Sequence, residues 1–115
     1  MTQLVLQFQP DLVPDLDLAS LKAVMASVKA LDVVSGFLVE EGDDDGPYIN
    51  FGFSSADMPA LWTHLRTLIG APTLVGQALQ AAAMVMCEGE DGWDDYLLLY
   101  HFDPAVECDP LPGSR

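Results

Sequence analysis

Positive charge is what this chain most lacks. Lys22, Lys29, Arg66 and Arg115 are its only basic side chains apart from two histidines, against 18 Asp and Glu, and the formal net charge is −14 over 115 residues. Affinity for a phosphate backbone is assembled from many cationic contacts, so nucleic-acid binding is excluded, and an acidic membrane surface repels the chain for the same reason. Cysteine is scarce too. Cys87 and Cys108 stand too far apart for the C-x-x-C spacing of a metal site and are too few for a disulfide framework, which points to a reduced, cytoplasmic protein. The opening Met1-Thr2-Gln3-Leu4-Val5-Leu6-Gln7 has no positive region, and glutamine breaks its apolar run well short of a secretory core or a membrane span. A phosphate-binding glycine loop is missing as well: Gly36, Gly42, Gly46 and Gly52 read as turn or strand residues, with no lysine beside a helix start.

What the chain has in quantity is apolar surface. Half of its residues are hydrophobic and 9% are aromatic, which separates it from disordered acidic chains and suffices for one buried core in one domain. The acids are gathered instead of spread: Asp11, Asp15 and Asp17 near the start, Asp43-Asp44-Asp45 in the middle, and Glu88, Glu90, Asp91, Asp94 and Asp95 later. An acidic skin of this kind also suits solubility at high salt, a cause that needs no partner.

Periodicity organises the rest. Leu4, Leu6 and Phe8 alternate with Val5, Gln7 and Gln9 as a strand buried on one side, and Pro10 and Pro14 stop it. Leu18, Leu21, Val24, Met25, Val28 and Leu31 form a helical stripe that Asp15 or Asp17 can cap. Two strands, over residues 33–39 and 48–53, flank the Gly42-Asp43-Asp44-Asp45-Gly46-Pro47 turn as a hairpin. Asp57 and Pro59 start a second helix with Met58, Leu61, Trp62, Leu65, Leu68 and Ile69 on one stripe, and Gly70 and Pro72 end it. Residues 73–83 read as a short turn of helix that passes into a strand. A last strand follows the Gly89-Glu90-Asp91-Gly92 turn, with Tyr96, Leu98, Tyr100 and Phe102 on one face and Leu97, Leu99 and His101 on the other. Residues 1–103 thus form one α+β domain and 104–115 a proline-rich carboxyl-terminal tail with little to pack.

The element order β-α-β-β-α-β-β predicts a ferredoxin-like two-layer sandwich, an antiparallel sheet of about five strands with two helices on one face. In that arrangement the two acidic turns lie at opposite ends of the sheet. Leu97, Leu99 and both faces of residues 82–87 look apolar, so the uncovered face asks for a cover: back-to-back pairing into a homodimer, with the tail as the competing cover.

The catalytic inventory is thin. Asp43-Asp44-Asp45-Gly46 departs from the calcium-loop pattern, which wants acids at alternate positions and a Glu six residues after the glycine, where Gly52 stands, so no metal is assigned there or at the second cluster. His64 and His101 are the only histidines, no serine sits in a nucleophile elbow, and a Cys87–His101 pair on adjacent strands is geometrically conceivable but reads as packing. No cofactor is implied. Trp93 sits inside Glu90-Asp91-Gly92-Trp93-Asp94-Asp95, either as an anchor for a cationic partner or as a ring folded back over the end of the sheet.

The expectation is therefore a non-enzymatic acidic protein-binding module, an inhibitor or immunity-type partner of a basic protein such as a nuclease. Its partner-binding residues would be Asp43, Asp44, Asp45, Glu90, Asp91, Trp93, Asp94 and Asp95. The alternative is a small dimeric ferredoxin-like enzyme or ligand-binding domain with a pocket between sheet and helices, lined by Tyr48, Tyr100, His64 or His101.

Overall fold

The computed structural model describes residues 2–111. Strand β1 (Thr2–Phe8) leads through a 3₁₀ turn at Pro10–Leu12 to helix α1 (Leu18–Lys29), then come strands β2 (Val34–Asp43) and β3 (Pro47–Ser55), helices α2 (Met58–Leu68) and α3 (Leu74–Ala82), and strands β4 (Ala83–Gly89) and β5 (Gly92–His101). The result is an α+β chain with one open, antiparallel five-stranded sheet in the order β2-β3-β1-β4-β5.

β1 holds the middle because its alternation is strict. Leu4, Leu6 and Phe8 are fully buried and meet Phe53, Phe51 and Ile49 of β3 on one side, while Leu4, Leu6 and Phe8 face Cys87, Val85 and Ala83 of β4 on the other. All nine side chains point to the same face, where Leu21, Met25 and Val28 of α1, Leu61, Trp62 and Leu65 of α2, and Ala78, Leu79 and Ala82 of α3 close over them. Each large apolar side chain moved out of water there contributes about 1.5–3 kcal/mol before ordering costs. Helices cover this face only.

Local chemistry fixes where each helix starts. The Asp17 carboxylate accepts from the Ala19 amide at 3.1 Å and the Asp57 carboxylate from the Ala60 amide at 3.2 Å, satisfying donors that a first helical turn leaves unpaired. Thr73 caps α3 in the same way, its hydroxyl accepting from the Gly76 amide at 2.9 Å. The expected short turn over residues 73–83 is therefore a nine-residue helix. The buried Ser55 hydroxyl donates to the Val33 carbonyl at 2.5 Å and accepts from the Asp57 amide, tying the end of β3 to both the start of β2 and the α2 cap.

β5 departs from simple alternation. Met86 faces Leu98 but Val85 faces Tyr100, so Leu99 is an extra residue, a β-bulge. The two-face pattern expected for this strand fails at that point: Tyr100 turns to the helix side, where its hydroxyl donates to the Gln80 carbonyl at 2.6 Å, and Leu97 with Leu99 joins the core instead of the open face. Nearer the turn, β5 takes five steps from Leu97 back to Gly92 where β4 takes two from Cys87 to Gly89. The register is therefore irregular over residues 93–96, although they stay in strand conformation and the Asp95 backbone lies close against Gly89.

The tail is anchored at residues 109–111. Asp109 forms a reciprocal clip on the outer edge of β5, its amide donating to the Leu98 carbonyl at 2.7 Å and its carboxylate accepting from the Leu98 amide at 3.0 Å, and Leu111 is buried within the core cluster. Replacing Leu111 by Ala is expected to cost about 2 kcal/mol, the low end for a buried leucine, seen as a lower urea midpoint at unchanged slope. A loss below about 0.5 kcal/mol would place the tail outside the core. Gly76 gives an opposite-sign test of packing in α3. Gly to Ala inside a helix normally gains about 1 kcal/mol, but a β-carbon at Gly76 would lie 2.5 Å from the Ala71 carbonyl oxygen, so Gly76→Ala should destabilise the chain.

Candidate functional site

The registers separate the acidic clusters. Phe8 pairs with Ile49 near the β2–β3 turn, and the opposite end of β1, at Leu4, pairs with Cys87 near the β4–β5 turn. Asp43, Asp44 and Asp45 thus sit at one end of the sheet and Glu90, Asp91, Asp94 and Asp95 at the other, as the element order predicts, and no single small ligand touches both groups. Asp43 is occupied with its own turn, its carboxylate accepting from the Gly46 amide at 3.2 Å, while Asp45 takes the left-handed backbone (φ 57°) that Asp tolerates better than most residues. Asp11, from the segment after β1, joins Asp44 and Asp45 around an open hollow of about 410 Å³. At the other end Glu88 accepts from the Gln3 amide at 2.7 Å, a bond that fixes the acid beside the first residues of β1. Among the described residues no group of three His, Cys, Asp or Glu side chains is placed to hold a metal ion.

Between the two ends lies the face without helices, and its side chains run in rows across the strands. Leu38, Gly52, Val5, Met86 and Leu98 pair successively from β2 to β5, forming one apolar row. The adjacent row, Glu40, Asn50, Gln7, Met84 and His101, is mostly polar. The open face is thus greasy along one band, with Val5 and the two methionines half-buried. Gly52 and Ser54 provide no bulk in the middle of it, and a trough of about 270 Å³ results, with Leu38 on one wall and Trp93 on the other. Trp93 is 41% exposed and lines the trough together with Gln3 and Val5.

Glu40 and Asn50 complete the trough. The Asn50 side-chain carbonyl oxygen is buried with no hydrogen-bond partner, the one such side-chain atom among the described residues. A buried acceptor left unpaired costs about 1–3 kcal/mol. Trp93 was legible in the sequence as an aromatic among acids. Glu40, Asn50 and Leu38 were not, because only the β2–β3–β1 register makes them neighbours of it.

The remaining candidates disperse. Cys87 faces the helices opposite Leu97, whereas His101 pairs with Met84 on the open face and its Nδ1 accepts from the Asp103 amide at 3.0 Å, so the conceivable Cys87–His101 pair does not form. His64 lies on α2, on the other side of the sheet. Burial, and secondarily the Glu88 carboxylate, pushes the Cys87 thiol up to about 11, which leaves it a poor nucleophile at neutral pH. Burial, then the nearby Cys108, also raises Tyr100. Three hollows open at the surface, on the open face, at the Asp44–Asp45 end, and between the 13–17 segment and α3. Tyr48 lines the second of these and neither histidine lines any.

No protein-family model, no curated protein and no solved structure matches the chain. Among the described residues no helix is long and apolar enough to cross a membrane.

Both cysteines are free, one buried and one exposed. A thiol reagent at pH 8 should therefore titrate only Cys108 in the folded chain and both after unfolding. Because the folded Cys87 thiol holds its proton above the value of 9 at which the unfolded one releases it, the stability it contributes is complete below pH 9 and is lost as pH rises through about 11. Cys87 labelling should increase over that window, and equal labelling of both thiols at pH 8 would contradict the burial.

Proposed function

We propose that this chain is a non-enzymatic acidic protein-binding module that captures a basic protein, as an inhibitor or immunity-type partner of a nuclease would. The observation that carries the reading is the trough on the open face, lined by Trp93, Glu40 and Asn50 among others. The Glu40 carboxylate and the face of an indole both attract positive charge. Lysine and arginine side chains carry donors and no acceptor, and a cation over an indole face gains further electrostatic attraction. A net charge of −14 steers such a partner from a distance, and the acids at both ends of the sheet extend the attractive field along the whole face. Hence Asp43, Asp44, Asp45, Glu90, Asp91, Asp94 and Asp95 act in this reading by steering, and Trp93 by contact.

The ferredoxin-like reading of the fold belongs here as well. It is supported by two split crossovers: β1 and β2 are joined through α1 with β3 between them in the sheet, and β3 and β4 are joined through α2 and α3 with β1 between them. In this reading β5 is the added strand and α3 an added helix. Such a sandwich hosts many functions, so the site and not the fold bears the argument.

A second copy of the chain is the other occupant to consider for the open face, since a homodimer would bury the Leu38–Leu98 row. Charge weighs against it, because each copy brings −14 to the contact. The enzymatic alternative draws on less, since the two histidines lie on opposite sides of the sheet and the cavities open outward.

The test is the affinity for the basic partner isolated from native extract at low ionic strength. Trp93→Ala should weaken binding by about tenfold or more, as removal of an interface aromatic does, and Glu40→Gln by a smaller factor. Raising salt from roughly 50 to 500 mM should weaken the wild-type complex by about tenfold or more. Affinity indifferent to both salt and Trp93 would end this reading.

A further inference from the structure

The two edges of the sheet are not alike. β5 is closed on its outer side by the Asp109 clip, which pairs both backbone groups of Leu98. β2, at the other edge, is a ten-residue strand with a ladder partner on one side only. Protein edges are commonly blunted by Lys, Pro, shortness or a cover, because an open row of amides and carbonyls templates another strand. β2 carries neither Lys nor Pro, its one irregularity falls at Val34–Gly36, and its centre presents Leu38 at 59% exposure and Val39 at 40%, one on each face.

Resting on the reading that the partner is basic, we infer that the β2 edge takes an extended segment of that partner as a sixth strand, with lysine or arginine on the open face and apolar side chains on the helix face. The alternation follows from which charges already have company. On the helix side Lys22 stands 4.0 Å from Glu41, and Lys29 lies over the Phe37 ring at 5.7 Å, so the strand's existing cations are both there. Phe37 and Val39 share that side, which suits apolar neighbours. On the open side Glu40 has no cation within ion-pair distance among the described residues, and it borders the trough. A residue placed opposite Glu40 on the same face can extend its donor head into that trough. A second copy of the chain cannot supply such a segment. Its basic residues are Lys22 and Lys29 on α1, Arg66 on α2 and Arg115 at its end, and its own β2 would bring Glu40, Glu41 and Asp43 to the contact.

The probe is a ten-residue peptide alternating lysine and valine, with capped ends, compared with the same peptide methylated at every backbone nitrogen. Methylation keeps the charge and removes the ladder donors. Amide exchange of residues 36–43 and Trp93 fluorescence are read during titration. The expected result is slowed exchange confined to 36–43 and a loss of affinity of about tenfold or more on methylation. Equal binding of both peptides, with a Trp93 response and no slowing at 36–43, would overturn strand addition while leaving capture of a basic partner intact. No binding of either peptide at millimolar concentration would also overturn it, and the salt dependence of the isolated partner then decides the broader reading separately. Slowing at 36–43 produced by raising the protein concentration alone would assign the edge to a second copy and overturn the proposal.

Discussion

The position of β1 between β3 and β4 is the constraint on which the rest of the molecule depends. Leu4, Leu6 and Phe8 can be wholly buried only if strands flank β1 on both sides and helices cover the face to which these side chains point. Period-two geometry then sends Gln3, Val5 and Gln7 to the opposite face without further choice. Slipping this strand by one residue would exchange the two sets, so register and function are fixed by the same alternation. The open face is what remains after the core has been satisfied.

That residue of surface is shaped by small side chains and by one irregular strand. Gly52 lies directly between Leu38 and Val5 in the cross-strand row, and its missing side chain turns a flat band into a trough. Trp93 lines the trough from β5, whose register against β4 is irregular in that stretch. The bulge at Leu99, farther along the same strand, turns Tyr100 inward onto α3.

The sequence made much of this legible where the signal is local. Asp15 or Asp17, of which the structure uses Asp17, and Asp57 read as caps, and the stripes Leu21–Met25–Val28 and Leu61–Trp62–Leu65 read as buried faces, because capping and helical periodicity lie within a few residues. The separation of the Asp43–Asp45 and Glu90–Asp95 turns followed from strand alternation alone. What stayed hidden depends on partners distant in sequence: Asn50 and Glu40 become trough residues through β3 and β2 pairing, Asp11 joins Asp44 through the chain reversal after β1, and Asp109 finds Leu98 across the β5 edge. Bulges are equally hidden, since nothing in Leu97-Leu98-Leu99 announces that one of the three will leave the ladder. The burial of Leu111 is hidden for a related reason. Leu111 is one apolar residue among prolines and acids, and only the anchored Asp109 brings it to the core.

An exposed apolar band, an open edge and a large negative charge would each be a liability or a neutrality by itself, and their combination has a physical logic. An edge strand with Leu38 and Val39 exposed invites self-association. Placing Glu40, Glu41 and Asp43 on that same strand, in a molecule of net charge −14, makes any approach of one copy to another climb an electrostatic barrier that falls as salt is added. The same field lowers the barrier for a cationic chain. In the proposed reading one set of carboxylates therefore both opposes pairing of two copies and favours a cationic cover, which is discrimination by repulsion as much as by contact.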